Sequence, residues 1–139
     1  MPNQVTVFLE NEQGRLAAMC RTLADASVNM NALTIADTAS YGVARLLVDK
    51  PAAAVEALTE AGYRAKLVEV SAVEIPNVPG SLATLLEAFD TAGLNLEYAY
   101  CFESDKETVV VVFRVETADG IAEIVEQLLG FRLLSSEDL

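Results

Sequence analysis

Two short segments carry residue types that could bind a small molecule. They are Asn11-Glu12-Gln13-Gly14-Arg15-Leu16 and Asn77-Val78-Pro79-Gly80-Ser81-Leu82. Each lies between a β-like run and the start of a helical pattern. Gly14 and Gly80 let the backbone take a positive φ or approach another group closely. The helix that follows begins with unpaired N–H groups and a partial positive end. Together these features suit a carboxylate. Asn11 and Asn77 offer both donor and acceptor atoms, which suits a molecule carrying both charges. The competing account is structural, with Asn as an N-cap or turn former and Gly as a tight connection. Recurrence of the pattern is what raises the binding account beside it. A second recurring pair, Asn29 and Asn95, follows the first helix of each half. Asn tolerates the left-handed region and is common at such junctions, so a structural role is the default. If the strand behind Asn29 lies beside the other half's loop, Asn29 could face the same ligand as Asn77.

Other chemistry is poorly supplied. The chain contains no histidine, which removes the commonest general base and metal ligand. Serine or cysteine nucleophiles paired with histidine are therefore impossible, and no Gly-rich phosphate loop is present. Glu10 and Glu12 read as solvated charges flanking a turn. Cys20 falls on an apolar helix face and reads as core. Cys101 has no activating neighbour in the sequence, and two cysteines in different halves make no disulfide framework or metal pattern. Arg45 and Arg114 stand mid-strand and read as partners for the many carboxylates. No catalytic residue, metal site or cofactor is expected.

The elements that would position the loops occur twice. At an offset of 66 residues, Val7 falls on Val73, Asn11 on Asn77, Gly14 on Gly80, Leu16 on Leu82 and Asn29 on Asn95. After small insertions, Ala61-Gly62-Tyr63-Arg64 answers Leu129-Gly130-Phe131-Arg132. The repeat unit is thus about half the chain. In the first half, strands are expected over Val5 to Leu9, Val28 to Thr38, Val43 to Val48 and Tyr63 to Val70, with a turn over Thr38 to Gly42. Leu16, Met19, Cys20, Leu23 and Ala26 recur on one helical face. A second helix opens at Pro51, carries Val55, Leu58 and Ala61 inward, and stops at Gly62. In the second half, strands are expected over Val73 to Ile75, Leu94 to Phe102, Thr108 to Val115 and Phe131 to Leu134. Leu82, Leu85, Leu86 and Phe89 form one helical face, and Ile121, Ile124, Val125 and Leu128 another. Leu96, Tyr98, Tyr100 and Phe102 share a strand face by alternation. Residues 135–139 read as a loose tail.

Each half is therefore β-α-β-β-α-β. The expected fold is α+β: two ferredoxin-like modules with antiparallel sheets, over 1–70 and 71–139. Modules of this size are marginal alone, and no linker separates them, so tight docking is expected. Open sheet edges tend to pair, which points to a homo-oligomer such as a dimer. The formal charge of −12 argues against nucleic acid and against an anionic membrane surface. The aromatic stripe is flanked by Glu97 and Glu103, which excludes RNA stacking. No apolar stretch approaches the ~20 residues of a membrane span. Met1-Pro2-Asn3-Gln4 does not resemble a signal leader, so the cytoplasm is the expected compartment.

The repeated pattern of a strand, Asn-x-x-Gly-x-Leu-Ala, and a helix ending in Ala-Ser-Val-Asn-Met or Ala-Gly-Leu-Asn-Leu resembles the ACT domain. The likeness covers almost the whole chain and implies a stand-alone tandem ACT-domain protein without a catalytic domain. Such modules sense small molecules, most often amino acids, at an interface between modules. The resemblance implicates Asn11, Gln13, Gly14, Arg15 and Leu16 in one loop and Asn77, Val78, Pro79, Gly80, Ser81 and Leu82 in the other. Asn29 and Asn95 take the family's polar position after the helix. The chain departs from the pattern at Asn11 and Asn77, where Asp is frequent, and at Gln13, where Pro is usual. The implied function is amino-acid-binding regulation without catalysis. The alternative is an accessory subunit acting by contact on an amino-acid biosynthetic enzyme such as acetolactate synthase.

Overall fold

The computed structural model describes residues 1–37 and 41–139. The turn expected over Thr38–Ser40 lies outside the described residues, and Tyr41 and Gly42 already belong to a strand. The first half contains β1 (Asn3–Glu10), α1 (Arg15–Asp25), β2 (Met30–Asp37), β3 (Tyr41–Val48), α2 (Pro51–Glu60) and β4 (Arg64–Glu69). The second contains β5 (Ser71–Pro76), α3 (Ser81–Thr91), β6 (Leu96–Glu103), β7 (Thr108–Val115), a π-helical α4 (Glu123–Leu128) and the short β8 (Arg132–Leu133). The sheets are antiparallel, with orders β2-β3-β1-β4 and β6-β7-β5-β8. This is the expected pair of ferredoxin-like βαββαβ modules. The chain forms two compact units, Asn3–Glu69 with Leu139 and Val70–Asp138 with Met1–Pro2.

Alternation decides what each unit buries. Val5, Val7 and Leu9 on β1 stand opposite Leu46, Ala44 and Gly42 of β3. With Met19 and Leu23 of α1 and Ala54 and Leu58 of α2, they form the first core. The intervening Phe8 and Glu10 project to the opposite face of the sheet. The second core repeats the plan with Val73, Ile75, Leu85, Phe89, Val111, Phe113 and Val125. The Phe89 and Phe113 rings meet at 5.1 Å in a tilted pair. Leu16 and Leu82 belong to the apolar stripes but sit in the first helical turns, beside the loops, and are 38% and 40% exposed. Ala61 is exposed rather than inward, because α2 ends at Glu60 and Gly62, at φ 92, turns the chain away. Ala54 fills the core position instead.

Three further expectations are corrected. Leu128 is 70% exposed, whereas Leu129 packs on the second core. The reason is the wider π turn, in which the Leu129 N–H bonds the Ile124 carbonyl at 3.0 Å. An extra residue per turn moves the inward position from the α-spaced Leu128 to Leu129. Leu96 does not share a face with Tyr98, Tyr100 and Phe102. A register shift between Leu96 and Tyr98 sets Leu96 opposite Val115 and Tyr98 opposite Arg114, so Leu96 packs on the core. Such a bulge reverses alternation by inserting one residue. The tail is held rather than loose. Asp138 accepts from Arg132 Nη2 at 2.8 Å and from the Ser135 N–H and hydroxyl at 2.8 and 3.0 Å.

The π register has a direct test in urea unfolding. Leu128→Ala should change stability by no more than about 0.5 kcal/mol, as an exposed substitution does. Leu129→Ala should cost about 1–2 kcal/mol, below the ~2–5 of a fully buried leucine. An ordinary α-helix would reverse the order.

Candidate functional site

The two loops share one backbone geometry. Gly14 (φ 87, ψ −12) and Gly80 (φ 92, ψ −14) are left-handed and are themselves the N-caps of α1 and α3, with no side-chain cap. Neither Asn11 nor Asn77 is therefore an N-cap. The Arg15 N–H bonds the Glu12 carbonyl, and the Ser81 N–H that of Val78, each at 3.3 Å. The helical ladders begin only where Ala18 donates to Gly14 at 3.0 Å and Thr84 to Gly80 at 2.9 Å. The N–H groups of Leu16 and Ala17, and of Leu82 and Ala83, are thus left without an intrahelical carbonyl. In both units these amides begin an exposed first turn, at the positive end of the helix.

The loops differ in their surroundings. Asn77 ties its loop to the β6–β7 hairpin, its N–H donating to the Glu107 carbonyl at 2.7 Å and its Nδ2 to that of Lys106 at 3.4 Å. Asp105 closes that hairpin by accepting from the N–H groups of Glu107 at 2.7 Å and Thr108 at 2.9 Å. The Glu107 N–H, then the Thr108 N–H, hold its carboxyl below the usual range. At the first position of α3 stands Ser81, which is buried, and in α1 Arg15. A cation at the positive end of a helix is unfavourable. Arg15 lies instead with its guanidinium carbon 5.4 Å from the centroid of the Tyr63 ring.

Asn29 sits elsewhere. Its N–H donates to Asp49 Oδ1 at 2.9 Å, its carbonyl accepts from the Asp49 N–H at 3.1 Å, and its Nδ2 reaches Asn31 Oδ1 at 3.2 Å. Lys50 Nζ bonds the neighbouring Ser27 carbonyl at 2.9 Å. These contacts buckle the α1–β2 connection to the β3–α2 connection. Met30 pairs with Val48, whereas Glu10, which leads into the loop, pairs with Tyr41. Within its own unit Asn29 is therefore roughly 25 Å from Asn11–Leu16, the length of an eight-residue strand. Asn95 precedes Leu96, which pairs with Val115, and so lies at the end of its sheet away from the Asn77 loop. The structure gathers Asn11, Gln13, Gly14, Arg15 and Leu16 in one loop and Asn77, Val78, Pro79, Gly80, Ser81 and Leu82 in another. It does not bring Asn29 or Asn95 to the loop of its own unit.

A cleft that the loop motif alone does not reveal opens beside Arg15. It is about 560 Å³, and its walls include Phe8, Glu10, Tyr41, Tyr63 and Arg64. Phe8 stands directly opposite Arg64 on β4, whose guanidinium carbon lies 5.8 Å from the Phe8 ring centroid. The sequence signal for this wall was the repeated Gly-aromatic-Arg segment at the start of the last strand. In the second unit the register match to Phe8 and Arg64 is Glu74 and Arg132. Arg132 is engaged by Asp138 at 2.8 Å and Glu74 at 4.0 Å.

The remaining candidates are structural. Arg114 Nε pairs with Glu97 Oε2 at 3.1 Å. Cys20 packs on the first core. Partial burial pushes the exposed-strand Cys101 thiol up from its ordinary value, which disfavours the thiolate. Among the described residues no group of three or more His, Cys, Asp or Glu is placed to hold a metal ion. No helix among them is long and apolar enough to cross a membrane.

Comparison with known proteins gives the same reading of the fold. A family model described as an ACT domain pair matches residues 2–138. A crystal structure of a Bacteroides thetaiotaomicron protein is 33% identical, covers 99% of this chain and 94% of its own, and superposes with a TM-score of 0.91. The regulatory subunit of aspartate kinase from Thermus thermophilus is 22% identical over 90% of this chain and 91% of its own, with a TM-score of 0.68. That of Thermus flavus is 20% identical over 91% and 92%, with a TM-score of 0.64. The two Thermus structures show the shared fold. No curated protein matches the sequence.

Two outcomes are expected from the loops. A Cβ added at Gly14 or Gly80 meets nothing within 4 Å, so Gly→Ala at either position should cost only the backbone term, about 1–2 kcal/mol. Gly→Asn should cost less, both read by chemical denaturation. Asp105, whose folded pKa is depressed, contributes stability above the unfolded value of about 3.9 and loses it as pH falls through the lower folded value. Asp105→Asn should abolish that part of the acid dependence, measured as the melting temperature from pH 6 down to about pH 2.

Proposed function

The chain belongs to the ACT-domain family as a pair of modules, and from that membership we propose that it is a non-catalytic regulatory protein that binds an amino acid at its glycine-hinged loops. The observation carrying this reading is the duplicated loop geometry. Two left-handed glycines start two helices, and each leaves a pair of adjacent amides at a positive helix end. Such an arrangement is a receptor for a carboxylate. The ammonium group is held by side-chain and backbone oxygens beside the loop, and a further ACT module supplies the wall that reads the ligand side chain. The Thermus proteins named as regulatory subunits of aspartate kinase share this fold, which supports a regulatory role exercised on a partner enzyme or a second copy of the chain.

Binding changes the preferred docking of modules because the ligand favours one arrangement over the others. The test is a thermal-shift and calorimetric titration with the twenty common amino acids. A ligand at 100 times its Kd should stabilise the folded protein by about 2.7 kcal/mol. Gly14→Val, which should displace the amides of the first loop, should weaken that response. If no amino acid raises the melting temperature, the reading fails.

A further inference from the structure

The two units hold an arginine at the same register position and treat it differently. Arg132 faces Glu74 and Asp138, so its charge is compensated within the chain. Arg64 has Phe8 opposite it where Arg132 has Glu74, and it forms no ion pair among the described residues. Arg15, at the first position of α1, likewise has no ion pair among them, and its Nε is buried without a hydrogen-bond partner. Both guanidiniums lie over aromatic rings, at 5.4 Å from Tyr63 and 5.8 Å from Phe8. A ring contact consumes no N–H donor, so the terminal Nη groups of both arginines stay available. Arg15 and Arg64 line the same cleft of about 560 Å³, a size suited to a small molecule. In a chain of net charge −12, two arginines in one cleft without an ion pair among the described residues are a specific feature.

Glu10 lines this cleft too. Among the described residues the lining therefore presents two cations and one anion, the complement of a molecule with two carboxylates and one ammonium. We propose that this cleft of the first unit takes an acidic amino acid. Arg15 and Arg64 each receive a carboxylate through the planar fork that suits that group. Glu10 receives the ammonium, and the Tyr63 and Phe8 rings keep the guanidiniums in place. The corresponding surface of the second unit does not bind such a ligand, because Glu74 and Asp138 already occupy Arg132. The proposal rests on the amino-acid-binding reading and narrows it to one ligand class and one unit.

The experiment is calorimetry of the full chain with L-glutamate, L-aspartate, L-leucine, L-lysine and succinate. An acidic amino acid should bind at least tenfold more tightly than leucine or lysine, with one site per chain. Arg64→Gln should weaken it at least tenfold, and Arg64→Lys should weaken it less. Arg132→Gln should leave the affinity unchanged. Glu10→Gln should narrow the preference for glutamate over succinate, which lacks the ammonium. Arg64 is exposed, so the circular dichroism and ligand-free melting temperature of its variants should match those of the parent. If leucine binds as tightly as glutamate, or Arg64→Gln leaves glutamate affinity unchanged, this assignment is overturned while amino-acid binding stands. If no amino acid binds, both fall.

Discussion

A positive φ at the residue before a helix is a costly conformation for any side chain with a Cβ, and two glycines absorb that cost here. Gly14 and Gly80 turn the chain from the end of a central strand into a helix without a side-chain cap. A serine or aspartate cap would have filled one of the orphan N–H groups. The glycine start leaves the amides of the first turn open, and the rigid sheet fixes where they point. The left-handed bend, more than any individual side chain, thus defines both loops. It also explains why such different sequences as Glu-Gln and Val-Pro precede the two glycines while the backbone repeats closely.

Upon this common frame the side chains diverge. The second unit ties its polar groups to one another, as its hairpin is pinned by Asp105 and Asn77 and its last strand by Arg132 with Asp138. The first unit leaves Arg15 and Arg64 against rings and Glu10 in the cleft. Internal duplication supplies the comparison that a single domain lacks, because register identifies the equivalent positions without reference to another protein. A position such as Phe8 is informative chiefly because its counterpart is Glu74.

Much of the architecture was legible from pattern. The β-α-β-β-α-β order and the two loops followed from periodicity and repeat. Two of the failures came where one residue shifts the count. The bulge before Tyr98 moved Leu96 onto the core face, and the π turn exchanged Leu128 for Leu129. Both devices obey hydrogen bonding over the whole element, which a local apolar pattern does not contain. The loops were visible because their residue types recur, but the cleft needed strand register. Phe8 and Arg64 are far apart in sequence and meet only because β1 and β4 are neighbours. The isolated placement of Asn29 follows from the same geometry, since a helix that returns along its sheet ends where the preceding strand began.

The Val70 N–H bonds the Pro2 carbonyl at 3.0 Å, and the first two residues belong to the unit that starts at Val70. Apart from Leu139, the first compact unit is therefore an insertion in the covalent path of the second. Cutting the gene between Glu69 and Val70 would send Met1 and Pro2 away with the wrong piece. Swapping or excising one module cleanly would require a permuted chain in which that dipeptide travels with β5, and a bulky fusion ahead of Met1 would press on the later unit rather than on the strand it precedes.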